Sequence, residues 1–170
     1  MNIPENEYHP YYKSYIGLAT EGESIVDSLT KNLESVSAFY ASIPIEKQEF
    51  AYAEGKWTPK DILLHLIDAE RVFAYRALRI ARQDKTELVG FEQDDYVISG
   101  KANEREMTNL IEEYKIVRKA TIALFKSFSP DMLKEIGLAS GSEVSVRALG
   151  TFITGHENHH NQIIRERYLL

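Results

Sequence analysis

Cysteine is absent from the 170-residue chain, which excludes disulfides, zinc–thiolate sites and a cysteine nucleophile. Basic charge is scarce: 20 Lys and Arg stand against 26 Asp and Glu, for a formal net charge of −6. A nucleic-acid groove or a surface that seeks anionic lipid needs a clustered basic excess, so neither partner is expected. No apolar run approaches the roughly 18 residues that span a bilayer. The segment Met1-Asn2-Ile3-Pro4-Glu5-Asn6 lacks the basic and apolar regions of a signal peptide, and a cytoplasmic protein is expected. Prolines number five and glycines nine, which leaves long stretches free to run as helices. The length suits one domain over residues 1–170 with a single sizeable core.

Four long helical patterns are present. The first runs from about Glu21 to Ile43, with Ile25, Val26, Leu29, Leu33, Val36 and Tyr40 at helical spacing, a Thr20/Glu23 capping box and Pro44 as its stop. The second runs from about Thr58 to Ala81, with Thr58 as N-cap, Pro59 at the first position and Asp61 completing a capping box. Its early part, Ile62-Leu63-Leu64-His65-Leu66-Ile67, is apolar nearly all round and reads as buried on most sides. The third runs from about Asn103 to Phe128, with Asn103 and Glu106 as its start signal. A short helix is expected after Ser129-Pro130-Asp131, ending at Gly137. The last runs from about Ser145 to Tyr168 after the turn Ser140-Gly141-Ser142. Val144 and Val146 alternate around Ser145 too briefly for more than an extended entry, so no strand ladder is expected. The polar, acidic segment from Gln83 to Ala102 is the one long connection, a length often tied to function. The fold expected is all-α: a four-helix bundle with one long loop and a short extra helix.

Three of the five histidines fall in Gly155-His156-Glu157-Asn158-His159-His160. An i, i+4 pair on a helix presents two imidazoles to one metal ion. His156 and His160 have that spacing, and His156 with His159 is an i, i+3 alternative. At about 100° per residue, Leu149, Phe152, Ile153, Ile163 and Ile164 define an apolar face; His156 and His160 each lie about 20° from its centre and His159 about 80° away. His156 and His160 are therefore the buried pair, and His159 belongs at the rim. His65, inside an apolar run, is the candidate third ligand, because a buried imidazole without a partner costs roughly 1–3 kcal/mol. The alternative is a core histidine hydrogen-bonded by Asp61 or Asp68, one turn away on either side. Three histidines with no thiolate or fourth protein ligand describe an open, catalytic type of site. Zinc suits three neutral imidazoles; nickel, iron and manganese are also accommodated.

Other side chains carry two readings. Arg76 lies about 20° from His65 in projection and roughly 16 Å along the helix. It either pairs with a neighbouring helix or faces the site and holds an anionic substrate. Asp68 with Arg71 is an intrahelical pair. Phe91-Glu92-Gln93-Asp94-Asp95-Tyr96 is either a solvated acidic loop or a lid, with Asp94 and Asp95 as possible ligand or base. Trp57 is expected to pack at the start of the second helix. Tyr8, Tyr11, Tyr12 and Tyr15 are expected to anchor across the bundle or a dimer interface, and a homodimer is the expected assembly.

The segments Gly55-Lys56-Trp57-Thr58-Pro59-Lys60-Asp61 leading to His65-Leu66, and His156-Glu157-Asn158-His159-His160-Asn161-Gln162-Ile163, resemble the DinB-like superfamily, which includes YfiT-type proteins, bacillithiol S-transferases and mycothiol-dependent maleylpyruvate isomerases. The resemblance covers nearly the whole chain. It implies a four-helix bundle with a three-histidine metal site at His65, His156 and His160. It also implies a metal-dependent transferase whose nucleophile is a small exogenous thiol acting on an electrophile. Hydrolysis by a metal-activated water and a non-catalytic metal-binding role in stress response are the competing readings.

Overall fold

The computed structural model describes residues 3–19 and 22–169. Four long helices form the bundle: α2 (Ile25–Ala41), α4 (Pro59–Ala81), α6 (Met107–Lys126) and α7 (Val146–Arg167), with α1 (Lys13–Leu18), α3 (Ile45–Gln48) and α5 (Gln93–Gly100) as shorter additions. Each of α4 and α2 packs against both α6 and α7, so the helices carrying His65 and the C-terminal histidines are neighbours. No helix among the described residues is long and apolar enough to cross a membrane.

Local signals fix the starts of three of the four long helices. The Thr58 hydroxyl accepts the Asp61 backbone N–H at 3.1 Å, and the Asp61 carboxylate accepts the Thr58 N–H at 3.0 Å, the reciprocal box expected for α4. Ser145 Oγ caps α7 by accepting from the Ala148 N–H at 3.1 Å. The start of α2 is later than expected: Ser24 Oγ accepts from the Asp27 N–H, while Glu23 binds Lys31. Thr20, assigned there as N-cap, and Glu21 lie outside the described residues. The start of α6 also moves, to Met107, with no side-chain cap. Asn103 is engaged elsewhere: it donates to Asp61 at 3.0 Å and accepts from the Thr58 hydroxyl at 2.9 Å, and so closes the cap of α4.

The region between α6 and α7 departs from the sequence reading. The short helix expected up to Gly137 is a single 3-10 turn, Met132–Lys134. An antiparallel hairpin follows, β1 (Ile136–Ala139) with β2 (Ser142–Ser145), in the register Ile136 opposite Ser145 and Ala139 opposite Ser142. Ser140 (φ 52°) and Gly141 (φ 74°) both take positive φ, the backbone a two-residue hairpin turn demands. Leu88 bridges to Ala139, so the long connection is anchored along the hairpin before α5 packs on α4.

The core has two apolar halves. Leu29, Phe73, Phe125, Leu149 and Phe152 belong to one, and Val36, Leu63, Ile67, Leu110 and Ile164 to the other. Between them, on all four long helices, lies a buried polar layer: Asn32, Glu70, Arg118 and Glu157. Arg118 is 0 % exposed. Its Nε and Nη2 donate to the two Glu70 oxygens at 2.9 and 3.0 Å, Nη2 also donates to Glu157, and Nη1 donates to the Leu29 carbonyl at 3.2 Å. The remaining Glu157 oxygen accepts from Asn32 at 3.0 Å.

The N-terminal arm closes over α7. A Cβ on Gly155 would overlap the Tyr15 carbonyl oxygen, so glycine is what lets the α1 backbone approach. Asn158 donates to the Leu18 carbonyl at 2.8 Å and holds the end of α1.

Arg118→Met is expected to lower stability by about 3–5 kcal/mol, because it strands two buried carboxylates. Adding Glu70→Gln and Glu157→Gln should recover part of that loss. Urea unfolding of the three variants measures both effects.

Candidate metal centre

His65 projects from the apolar stretch of α4, and His156 and His160 from successive turns of α7. Their Nε2 atoms converge: 3.1 Å from His65 to His156 and 3.0 Å from His160 to His156. One nitrogen from each ring lies within 4.8 Å of the others. Nitrogens bound to zinc at about 2.0–2.1 Å in tetrahedral directions stand roughly 3.3 Å apart, so the two separations at His156 suit ligands of one divalent ion.

The alternative partners proposed for His65 are committed elsewhere. Asp61 serves the α4 cap, and Asp68 accepts from Arg71 at 3.2 Å. His65 Nδ1 is buried without a hydrogen-bond partner, so the only polar contact of this ring is through Nε2, toward His156. His159 is half-buried, with its ring 5.5 Å from that of Tyr15, and lies outside the trio. Aromatic rings wall the cluster: Trp57 is 4.8 Å from His65 and 6.3 Å from His160, and Tyr15 is 5.1 Å from His156.

Burial keeps these imidazoles neutral. It lowers the His65 pKa to about 4, against a small opposing pull from Asp94, and that of His160 to about 3, with His65 and His159 adding to the effect. His156 is pushed well below its ordinary value, first by burial and then by the neighbouring histidines. Neutral rings are the form that ligates metal.

His65 and His156 lie on the wall of a cavity of about 580 Å³. Tyr11, Tyr12, Tyr15 and Phe73 line its apolar side, and Gly90 to Asp94 form its outer wall, so part of the segment expected as a lid borders the site. Asp95 does not line it. Tyr12 stacks on Phe152 at 4.3 Å and Tyr8 meets the same ring at 6.2 Å, so these tyrosines pack within the bundle. Arg76 lines the cavity too; it donates to the Val89 carbonyl and to Ser140 Oγ, partners in the connection and the hairpin turn and not in a neighbouring helix. The sequence reading missed Arg118. Its signal was a charged residue inside the stripe Tyr114, Val117, Thr121, where an arginine must be buried and therefore paired.

The DinB superfamily profile matches residues 28–164. The chain belongs to the DinB superfamily. Among solved structures it is similar to YfiT from Bacillus subtilis, described as a probable metal-dependent hydrolase with an unusual four-helix bundle topology. The TM-score is 0.72 at 16% identity, over 94% of this chain and 91% of YfiT. No curated protein matches the sequence. Membership and the histidine cluster together make this a metal-binding protein of DinB type, with a divalent ion as the cofactor that fits.

In the metal-free protein the unfolded chain takes up protons near pH 6.5 that the folded histidines refuse until about pH 4 or 3. Their contribution to stability is therefore complete above about pH 6.5 and is lost as pH falls toward 4 for His65 and toward 3 for His160, by up to about 1.4 kcal/mol per pH unit for each ring. Urea midpoints of the metal-free protein between about pH 7 and 5 should follow this slope, and His160→Gln should make it shallower.

Proposed function

We propose that His65, His156 and His160 hold one divalent ion, zinc in first place with nickel, iron or manganese as alternatives, and that the protein transfers a low-molecular-weight thiol onto an electrophile. The observation that carries this reading is the convergence of three neutral imidazoles, two of which (His65 and His156) line a cavity of about 580 Å³, with no carboxylate joining the cluster among the described residues. A divalent ion there supplies the positive charge that lowers the pKa of a thiol or water held against it. Trp57, Tyr15 and Phe73 pack beside the imidazoles and surround them with apolar surface, which strengthens electrostatic interactions at that point. Asp94, on the cavity wall near His65, is the group that accepts the thiol proton. The sulfur then bonds to the electrophilic carbon as its leaving group departs. The reading takes residues 1–170 as one domain, acting in the cytoplasm as a homodimer with a small thiol and an electrophile as its partners.

The likeness to YfiT favours a second reading, metal-dependent hydrolysis in the same cavity. Turnover of an electrophile with and without added thiol separates the two. A metal-loaded protein that turns over neither substrate class would favour a non-catalytic role.

His156→Ala and His160→Ala should each abolish stoichiometric metal binding, and His159→Ala should weaken it modestly. In the cobalt-substituted protein, a small thiol should produce an intense near-ultraviolet charge-transfer band that His65→Ala removes. If bacillithiol, mycothiol, glutathione and simpler thiols all leave the cobalt spectrum unchanged, the transferase reading fails and hydrolysis moves ahead.

A further inference from the structure

Arg76 is a buried cation with no paired anion among the described residues. It is 4 % exposed, and a guanidinium stays charged in a protein. The other buried guanidinium, Arg118, has two carboxylates, and the more exposed Arg71, Arg79, Arg105 and Arg147 each pair with at least one. No carboxylate among the described residues pairs with Arg76. Its Nη2 donates to the Val89 carbonyl at 2.9 Å and to Ser140 Oγ at 2.8 Å, and the Tyr12 phenol is its other polar neighbour. Burial draws its pKa down from the ordinary arginine value, the sign of a charge that lacks a full counter-charge. Charged side chains are rarely this buried unless paired.

The guanidinium borders the same cavity as His65 and His156. Position 76 lies three turns beyond His65 on one face of α4, about 16 Å along the axis. Its bonds to Val89 and Ser140 hold the guanidinium beside the hairpin turn and the long connection, on the wall it shares with His65 and His156. Tyr12 and Phe73 supply apolar wall on the same cavity.

We propose that Arg76 anchors the carboxylate of an elongated substrate, whose apolar body lies against Tyr12 and Phe73 and whose opposite end reaches the three histidines. The role given to that far end rests on the metal-centre reading; the anchoring by Arg76 does not. The planar guanidinium matches a carboxylate in two-pronged fashion, and this sets specificity for acidic over neutral substrates.

Calorimetric titration with 3-phenylpropionate, 4-phenylbutyrate and 6-phenylhexanoate, each beside its primary amide, tests the assignment on metal-free and zinc-loaded protein. The carboxylates should bind both forms at least about tenfold tighter than the amides. Arg76→Met should erase that preference and Arg76→Lys should keep part of it. If Arg76→Met fails to fold, the Arg76 Nε–H resonance of the unaltered protein should shift with the carboxylates and not with the amides. A preference seen only with zinc and unchanged by Arg76→Met puts the anion on the metal; it overturns the Arg76 assignment and leaves the metal centre standing. A preference that persists in protein unable to bind zinc supports Arg76 and counts against the metal centre alone. Equal binding of acids and amides, or no binding of any acid, overturns the assignment.

Discussion

The contact on which the bundle's arrangement depends is the clamp of two carboxylates on Arg118. A fully buried guanidinium is tolerable only where its donors and charge are met together, and here Glu70 on α4, Glu157 on α7 and the Leu29 carbonyl on α2 meet them. The apolar faces set the rotation of each helix, and the polar layer adds a constraint that joins all four. Glu157 directly follows His156 in sequence, and successive residues point about 100° apart. When Glu157 turns inward to Arg118, His156 is turned toward His65. A rotation of α7 that removed His156 from the site would also strip the buried arginine of its second carboxylate.

Around this frame the site is built by exclusion. Burial keeps the three imidazoles neutral, rings from Trp57 and Tyr15 close their flanks, and the close approach permitted by Gly155 brings the N-terminal arm over α7. The arm thereby supplies three tyrosines to the cavity, while the hairpin and the long connection supply Ser140 and Gly90 to Asp94. The two ends of the cavity differ in chemistry, with His65 and His156 at one and the Arg76 guanidinium further along α4.

The candidate ligands were legible in the sequence because helical periodicity turns spacing into direction: His156 and His160 lay within one apolar face, and His65 interrupted an apolar run. The start of α4 was legible because Thr58, Pro59 and Asp61 encode a reciprocal cap that depends only on neighbours. What was not legible depended on distant partners. Asn103 carried the signature of a cap for its own helix, and Asp61 and Thr58, more than forty positions earlier, claimed it. The hairpin hid behind Ser140-Gly141, a dipeptide that serves equally as a helix lead-in or as a two-residue turn; only the register of Ile136 to Ser145 across it decides. Arg118 stood inside an apolar stripe, but its two carboxylates come from helices that sequence spacing cannot bring together.

X-ray absorption of zinc-loaded protein, free of any histidine tag, tests the central claim most directly. The account predicts one ion per chain with three imidazole nitrogens, about 2.0–2.1 Å from the zinc, and multiple scattering from three rings that falls to two in His65→Ala. A first shell dominated by carboxylate oxygen, or an imidazole count that His65→Ala leaves unchanged, would contradict it.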